Sequence, residues 1–280
     1  MLELPETTTL AMQVTRELAG LQIRSAVAGA SDHTYAGFTG EPPSYSSRLQ
    51  GQHIVNAQAY GGLLEISTDD WVLVFNDGAC LQLLSAQAAR PVKHQLLLEF
   101  DDGRALLVTV RMYGGIFLLG DVEEEMSRNP YIHAAHQAIP PMNAQWTVGH
   151  LRLLVDAAKP SLSAKALLAT EQRIPGLGNG CLQDILWTAG IQPQRKISTL
   201  TTLDLEHLHD SIQRVLTQMI RLGGRNTEKD LYSKPGGYTC LMSAKTCTLP
   251  CPQCAGPVTR KSFLGGNVYF CPYCQPINPA

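Results

Sequence analysis

The chain has 280 residues, of which 44% are hydrophobic and 16% charged, and it is long enough for one large domain or two to three smaller ones. Its apolar content, with 24 glycines and 17 prolines that follow no period, excludes a disordered or collagen-like chain. No apolar run approaches the roughly 20 residues of a membrane helix. The first residues carry acids where a secretory signal carries bases, so we expect a cytoplasmic protein without membrane contact.

The net charge of −2 conceals an uneven distribution along the chain. Residues 1–135 carry 8 Lys and Arg against 16 Asp and Glu, whereas residues 136–280 carry 14 against 8. The two halves therefore have net charges of −8 and +6. A polyanionic partner is expected to dock mainly on the basic half, the alternative being a chance segregation of solvated charges.

The first part of the chain predicts one helix followed by a β-rich unit. Residues 6–19 place apolar side chains on one helical face, and Gly20 ends the pattern. Short apolar stretches separated by Asp-Gly turns follow, which favours an antiparallel sandwich or barrel. These stretches are residues 63–66, 71–75, 94–100, 105–110 and 116–119. We therefore predict a first domain over residues 1–130.

The second part of the chain predicts helices. Residues 131–147 include Pro140 and Pro141 and show little periodicity, so they are interpreted as a linker. Apolar residues then recur at helical spacing, with Ser163 and Thr202 as candidate N-caps. The expected helices are residues 148–158, 163–169, 180–189 and 203–222. A Gly-rich charged loop over residues 223–238 completes a helical domain that spans residues 148–238.

The last part of the chain, residues 239–280, is a cysteine-rich unit. Two Cys-x-x-Cys pairs are separated by sixteen residues that include a Gly265-Gly266 turn, which predicts a β-hairpin between the pairs. Four thiolates at this spacing are typical of a closed, structural zinc site, and a redox or iron–sulfur role is the alternative. The candidate zinc ligands are Cys251, Cys254, Cys271 and Cys274.

A second motif is Gly176-Leu177-Gly178-Asn179, which opens directly into an amphipathic helix. Backbone N–H groups at such a helix start can bind an anion. No strand precedes the motif, so it is not a dinucleotide-binding fingerprint. Taken alone, the motif favours ordinary helix–turn–helix packing over an anion site.

Together these features resemble the formamidopyrimidine-DNA glycosylase and endonuclease VIII family of base-excision DNA repair. The family begins Met-Pro-Glu-Leu-Pro-Glu, and this chain begins Met1-Leu2-Glu3-Leu4-Pro5-Glu6. The glycine motif and Ala189-Gly190-Ile191-Gln192-Pro193 resemble the family's helix–two-turn–helix, and the cysteine pairs resemble its zinc finger. The resemblance implies an α+β multidomain clamp: an N-terminal helix with an antiparallel β-sandwich, a helical domain and a zinc ribbon. Double-stranded damaged DNA would lie in the cleft, bound by one monomer.

The resemblance also implies roles for individual residues. Asn179 matches the family's phosphate-binding asparagine, and residues 109–114 resemble its wedge loop, with Arg111 facing the unpaired base and Tyr113 as the wedge. The loop 223–238 falls where the family places its base-capping loop, and a plain connector is the alternative. The other candidate DNA contacts are Arg225, Lys229, Arg260 and Lys261.

The sequence departs from the family at four positions. Leu2 replaces the N-terminal proline whose secondary amine is the family's nucleophile, and Gln52 aligns with its catalytic lysine. The turn at residues 76–79 lacks the third wedge residue. Gly266 replaces the finger's phosphate-binding arginine, for which Arg260, Lys261 or Asn267 are candidate substitutes.

These departures leave two hypotheses for the function. The first is a glycosylase that cuts the N-glycosidic bond of a flipped base with weak or absent lyase activity. Its candidate catalytic residues are Glu3 as general base, Glu6, and the displaced α-amine of Met1. For both glutamates, the alternative is that first-turn acids stabilise a helix N-terminus. The second hypothesis is a damage-binding protein that kept the clamp and lost the chemistry.

Overall fold

The computed structural model describes residues 1–277, apart from the side chains at positions 126 and 127. The helices are α1 (Leu4–Leu18), α2 (Ser44–Leu49), α3 (Val122–Arg128), α4 (Pro130–Gln137), α5 (Val148–Ala157), α6 (Ala164–Ala169), α7 (Asn179–Thr188) and α8 (Thr202–Arg221). The strands are β1 (Ile23–Ala28), β2 (Ala36–Phe38), β3 (Ile54–Tyr60), β4 (Leu63–Thr68), β5 (Val72–Phe75), β6 (Ala79–Leu84), β7 (Leu96–Phe100), β8 (Ala105–Val110), β9 (Gly114–Leu119), β10 (Thr259–Phe263) and β11 (Gly266–Phe270). Within residues 1–277, none of the helices combines the length and apolar character that crossing a bilayer requires.

The N-terminal unit is the predicted helix plus β-sandwich. One sheet has the order β1-β7-β8-β6, and the other has the order β2-β9-β5-β4-β3. All pairs are antiparallel except the short parallel pair between β2 and β9. The two sheets and α1 share one core, to which the helix contributes Leu10, Val14 and Leu18. Burying this apolar helix face against the sheets fixes where the chain's first residues lie.

The helical unit packs α5, α6, α7 and α8 around a second core. Leu4 of α1 belongs to this core rather than to the sandwich, so the N-terminal helix contributes to both units. Ser163 caps α6 as predicted, because its side chain accepts a hydrogen bond from Ala166 N. The prediction for α8 was wrong by one residue: Thr201, and not Thr202, is the N-cap, in a capping box with Asp204.

The predicted linker is partly helical. Asn129 caps α4, and Pro130 occupies its first turn, where a missing N–H costs nothing. The helix buries Ile132 and Ala135 against the outer face of the five-stranded sheet. Residues 131–137 of the predicted linker 131–147 therefore belong to a helix that packs on the sandwich.

Two glycines hold the sandwich and the helical unit in direct backbone contact. Gly61, in the turn between β3 and β4, meets the loop before α7 so closely that a Cβ atom there would lie 2.5 Å from Pro175 Cβ. A Cβ atom at Gly176 would lie 2.3 Å from the Gly61 carbonyl carbon. Both residues have positive φ, at 57° and 76°, which favours glycine. This contact brings the β3–β4 hairpin against the segment that leads into α7.

Candidate active site

A cavity of about 540 Å³ opens where the sandwich, the helical unit and the cysteine hairpin meet. The sandwich side contributes the N-terminal residues, Asp77 and Tyr113, and the helical side contributes Lys165 and Asn179. The turn of the cysteine hairpin, at Gly265 and Gly266, completes the wall. Residues that are far apart in the sequence thus converge on one site.

The N-terminal segment runs along one wall of this cavity and is fixed by backbone hydrogen bonds. Leu2 N donates to Asp77 O at 2.6 Å, and Leu4 N donates to Gly176 O at 2.7 Å. The Met1 ammonium lies one residue further out and pairs with Glu228 Oε2 at 2.6 Å. The nitrogen at position 2 is therefore an amide that already donates a hydrogen bond, and the free amine is displaced and ion-paired.

Glu3 is buried, and its carboxylate caps the start of α7 rather than of its own helix. Oε2 accepts from Gly178 N at 3.1 Å and from Cys181 N at 2.8 Å, and Oε1 accepts from Gly180 N at 2.8 Å. Burial alone would raise the pKa of Glu3, but the charge of Arg225 and these backbone N–H groups outweigh it and hold the pKa below its ordinary value. The carboxylate is thus held ionised.

Arg225 neutralises both glutamates of the N-terminal segment. Its guanidinium donates to Glu3 Oε1 at 3.1 Å, and to Glu6 at 3.0 Å from Nε and 2.7 Å from Nη2. A Cβ atom at Gly180 would lie 1.3 Å from Arg225 Nη1, so this close approach requires glycine there. The prediction that Arg225 contacts DNA was wrong, because its guanidinium donors are taken up by the Glu3 and Glu6 carboxylates and by Met1 O.

These contacts favour a structural role for Glu3 and Glu6. The sequence leaves open that both acids stabilise a helix N-terminus. Glu3 does so, but for α7, a helix of the other unit. The N-cap Glu3 makes no side-chain cap hydrogen bond to its own helix α1. Both Glu3 oxygens already accept two hydrogen bonds each, which leaves little capacity to orient a water molecule.

Asp77 is the other carboxyl group in the cavity wall, in the turn whose sequence indicates only the loss of a wedge residue. It lies between β5 and β6 with φ of 45°, a left-handed conformation that aspartate tolerates. Tyr131 Oη donates to its Oδ1 at a long 3.4 Å. Desolvation raises the pKa of Asp77, while the Tyr131 hydroxyl and the N-terminal ammonium oppose that shift.

The residue aligned with the family's catalytic lysine lies elsewhere. Gln52 lies just before β3, and Asp70 lies in the turn between β4 and β5. Gln52 donates to Asp70 Oδ2 at 2.7 Å and accepts from Asp70 N at 2.8 Å. The part of this hairpin that approaches Leu2 is instead the Gly61–Gly62 turn, where a Cβ atom at Gly62 would lie 3.7 Å from Leu2 O. The alignment of Gln52 with the site was therefore wrong, and the turn that is present supplies no amine.

The predicted wedge loop lies between β8 and β9 at the edge of the cavity. Tyr113 lines the cavity and is 48% exposed, and Met112 beside it is 69% exposed. Arg111 lines a second, smaller pocket of about 100 Å³ together with Met1, Cys80 and Lys229. Met1 and Leu2 line both spaces. The wedge roles of Arg111 and Tyr113 stay predictions.

Lys165 is a cation close to Asn179 that the sequence did not indicate as a site residue. Lys165, on α6, is 3% exposed, and its Nζ donates to Phe263 O at 2.6 Å and to Leu264 O at 3.4 Å. A Cβ atom at Gly266 would lie 3.4 Å from Asn179 Nδ2 and 3.7 Å from Lys165 Nζ. The ammonium thus lies beside the position where the family's finger arginine is missing. The only sequence signal was a charged residue within an otherwise apolar helix.

The other candidate substitutes lie outside the cavity wall. Arg260 and Lys261 are exposed on β10 and pair across the hairpin with Tyr269 and Val268. Asn267 contributes its backbone oxygen, which accepts from Asn179 Nδ2 at 3.2 Å. Burial lowers the pKa of Lys165, and no carboxylate within residues 1–277 is close enough to contribute to its pKa.

The four cysteines at the C-terminus form one cluster, as the sequence predicts. Their sulfur atoms all lie within 4.8 Å of one another, with Cys254 and Cys271 at 3.4 Å and Cys251 and Cys274 at 3.8 Å. A tetrahedral zinc–thiolate site has sulfurs about 3.8 Å apart. Trp187 Nε1 donates to Cys251 Sγ at 3.4 Å, which ties the cluster to α7. The donor set is therefore able to hold one metal ion with no open position.

Comparison with known proteins agrees with this geometry. A family model of the formamidopyrimidine-DNA glycosylase H2TH domain, the helix–two-turn–helix, matches residues 143–230. A formamidopyrimidine-DNA glycosylase from Legionella pneumophila subsp. pneumophila is 29% identical over 84% of this chain and 86% of its own. One from Symbiobacterium thermophilum is 27% identical over 98% of this chain and 89% of its own.

A solved structure shares the whole fold. Lactococcus lactis Fpg in complex with DNA that contains an abasic site superposes with a TM-score of 0.82 at 24% identity, covering 98% of this chain and 99% of that one. A sandwich, a helix–two-turn–helix unit and a four-cysteine hairpin around one cleft are therefore the fold that this chain shares with that protein. The chain is thus similar along nearly its whole length to formamidopyrimidine-DNA glycosylases, and its residues 143–230 match the H2TH domain of that family.

Proposed function

We propose that this protein is a DNA glycosylase of base excision repair. It would flip a damaged base out of double-stranded DNA and hydrolyse its N-glycosidic bond, leaving the strand largely intact. The observation that carries the proposal is the cavity itself, in which the N-terminal segment and two acids face the Asn179 amide and the Lys165 ammonium. One wall thus carries the acids that could take part in bond cleavage, and the other carries the amide and ammonium groups that could bind a DNA phosphate.

The cleft favours hydrolysis over a covalent route. A Schiff base to the sugar C1′ requires a neutral amine within reach of that carbon. Here the Leu2 nitrogen is an amide bound to Asp77 O, and the Met1 ammonium is held by Glu228. A displacement of about 1 Å can already cost a hundredfold in rate. Strand cleavage by elimination, which depends on the imine, would therefore be weak or absent.

We assign the four-cysteine cluster to one structural zinc ion. Cys251, Cys254, Cys271 and Cys274 would hold the ion and so fix the hairpin turn that closes the cavity. Elemental analysis of the purified protein should give one zinc per chain, and iron in its place would overturn the assignment. Removal of the metal by a chelator should abolish DNA binding, because the Gly265–Gly266 wall would lose its support.

Phosphate binding is assigned to Asn179 and Lys165. Asn179→Ala should weaken binding to duplexes of any sequence about equally, since a phosphate contact carries no base information. Lys165→Met should in addition reduce the slope of log affinity against log salt by about one, and Lys165→Arg should restore it. Lys159→Met, an exposed cation of the same half, is the control. Unchanged binding by Asn179→Ala and Lys165→Met would remove both assignments.

A second candidate function is damage binding without catalysis. The amide at Leu2 and the ion-paired Met1 ammonium favour it, because both remove the family's nucleophile. The deciding experiment incubates the protein with duplexes that carry oxidised purines, formamidopyrimidines, oxidised pyrimidines or an abasic site. Base release and strand cleavage are measured separately, and borohydride is added to trap an imine. We expect base release, little cleavage and little trapping; tight binding without base release would identify the binding protein.

A further inference from the structure

Four carboxyl groups border the two pockets that Met1 and Leu2 both line, and three of them are already engaged. Glu3 accepts three backbone hydrogen bonds and one from Arg225. Both Glu6 oxygens face the same guanidinium, and Glu228 holds the Met1 ammonium. Asp77 remains: within residues 1–277, its side chain has a single hydrogen-bond partner, the Tyr131 hydroxyl at 3.4 Å. An acceptor with lone pairs to spare can hold a water molecule.

The position of Asp77 relative to the N-terminal segment is fixed by short backbone contacts. Its own carbonyl oxygen accepts from Leu2 N at 2.6 Å, so its side chain starts beside the N-terminal segment in the cavity wall. Gly78 N donates to Tyr113 O at 2.9 Å, and Arg111 N donates to Gly78 O at 2.8 Å. The turn that contains Asp77 is therefore hydrogen-bonded to the predicted wedge loop.

The environment also suits a proton acceptor. A carboxyl group that is partly desolvated in a cleft and lacks a cationic partner at contact distance is a better base than one in an ion pair. Burial raises the pKa of Asp77 from its ordinary 3.8, whereas the pKa of Glu3 is lowered. Asp77 is thus the stronger base of the two acids in the cavity wall.

We propose that Asp77 is a catalytic residue that activates the water molecule attacking the sugar C1′ of a flipped nucleotide. The inference rests on the proposed hydrolytic function. The Asp77 carboxylate accepts a proton from water as the water oxygen forms its bond to C1′. The C1′–N bond breaks, and its electron pair leaves with the base, which takes up a proton. The products are the free base and an abasic sugar with a C1′ hydroxyl, so no cofactor is required.

The direct test is single-turnover base release by Asp77→Asn, with a duplex that the wild-type protein processes. General-base catalysis contributes about 10²–10⁴-fold, so we expect a loss of at least roughly a hundredfold. Binding to a duplex with a tetrahydrofuran abasic analogue should be unchanged or tighter, because a negative charge is removed from the cleft. Asp101→Asn, at an exposed turn of the same sandwich, is the matched control and should retain the wild-type rate.

The pH profile separates catalysis from a structural effect. Wild-type base release should rise with pH through the raised pKa of Asp77 and then level off, and Asp77→Asn should lose this limb. Tyr131→Phe removes a hydrogen bond that lowers the pKa of Asp77, so it should move the midpoint to higher pH. A purely structural role for Asp77 would not shift this midpoint.

The outcomes distinguish the inference from the function on which it rests. If the wild-type protein releases base and Asp77→Asn does so at the same rate, Asp77 is not the base and only this inference fails. If the wild-type protein releases no base from any duplex of the panel, the hydrolytic function itself fails. Efficient borohydride trapping of the wild-type protein would also overturn the inference, because it would show that an amine attacks in place of water.

Discussion

Two acidic residues line the same cavity, one on the N-terminal segment and the other in the turn between β5 and β6. Glu3 lies among backbone N–H groups and a guanidinium, whereas Asp77 has one long hydrogen bond from a tyrosine. Their pKa values consequently shift in opposite directions, down for Glu3 and up for Asp77. The surroundings rather than the side-chain type decide which acid stabilises the fold and which is available for chemistry.

The two carboxyl groups also differ in their effect on the stability of the folded state. A carboxylate with a complete set of partners stabilises the folded state, and a desolvated one without them destabilises it. Residues that serve catalysis are often of the second kind. Four substitutions or conditions test this comparison, from the strongest expected effect on stability to the weakest.

Arg225→Met should have the strongest effect, because it turns Glu3 and Glu6 into buried charges without a counter-ion. Removing one partner of a buried ion pair costs about 3–5 kcal/mol. Urea unfolding should show a loss of this size, and Arg221→Met, an exposed position on α8, should show almost none. Equal stability of the two variants would mean that Arg225 does not hold the N-terminal segment.

Glu3→Gln should follow, with a loss of about 2 kcal/mol in the free energy of unfolding. The amide retains one acceptor oxygen but directs an NH₂ group at backbone N–H donors, and it leaves Arg225 with Glu6 alone. Glu41→Gln, at an exposed site, is the control. A variant as stable as the wild-type protein that fails to release base would instead restore Glu3 as the general base expected from the sequence.

The sequence could predict those parts of the site that depend on local patterns. The cysteine spacing fixes the cluster, since both pairs and the hairpin between them are continuous in the chain. The start of α7 follows from Gly178 and Asn179, one residue earlier than the expected helix. Four strands were missed, β1, β2, β3 and β6, because β2 is only three residues long and polar residues interrupt the short apolar runs of the other three.

The roles of Arg225, Gln52 and Asp77 required the tertiary structure. Arg225 lies in a Gly-rich charged segment of the kind that is usually exposed, and its partners are 219 and 222 residues away. Gln52 was misplaced because the sequence does not reveal which part of the β3–β4 hairpin contacts the loop before α7. Nothing in the tetrapeptide of residues 76–79 indicates that the backbone of Asp77 binds Leu2 N.

Acidification should reveal the contribution of Glu3. Its pKa in the folded state lies below the ordinary 4.5, so its stabilising effect is present above that pH and disappears as the pH falls through the lowered value. The free energy of unfolding of the wild-type protein should therefore decrease below about pH 4.5, and Glu3→Gln should show a shallower decrease. Parallel curves for the two proteins would contradict the lowered pKa.

Asp77→Asn should have the smallest effect on stability and the opposite sign. Because the pKa of Asp77 is raised in the folded state, its ionisation opposes folding as the pH rises from the ordinary 3.8 through the raised value. The penalty persists at neutral pH, where Asp77→Asn should melt slightly above the wild-type protein, and the difference should vanish below about pH 3.8. Differential scanning fluorimetry across pH measures it, with Asp101→Asn as the reference. A variant that melts lower at neutral pH would mean that the Asp77 carboxylate is held by partners, as Glu3 is, and that the two acids do not differ in kind.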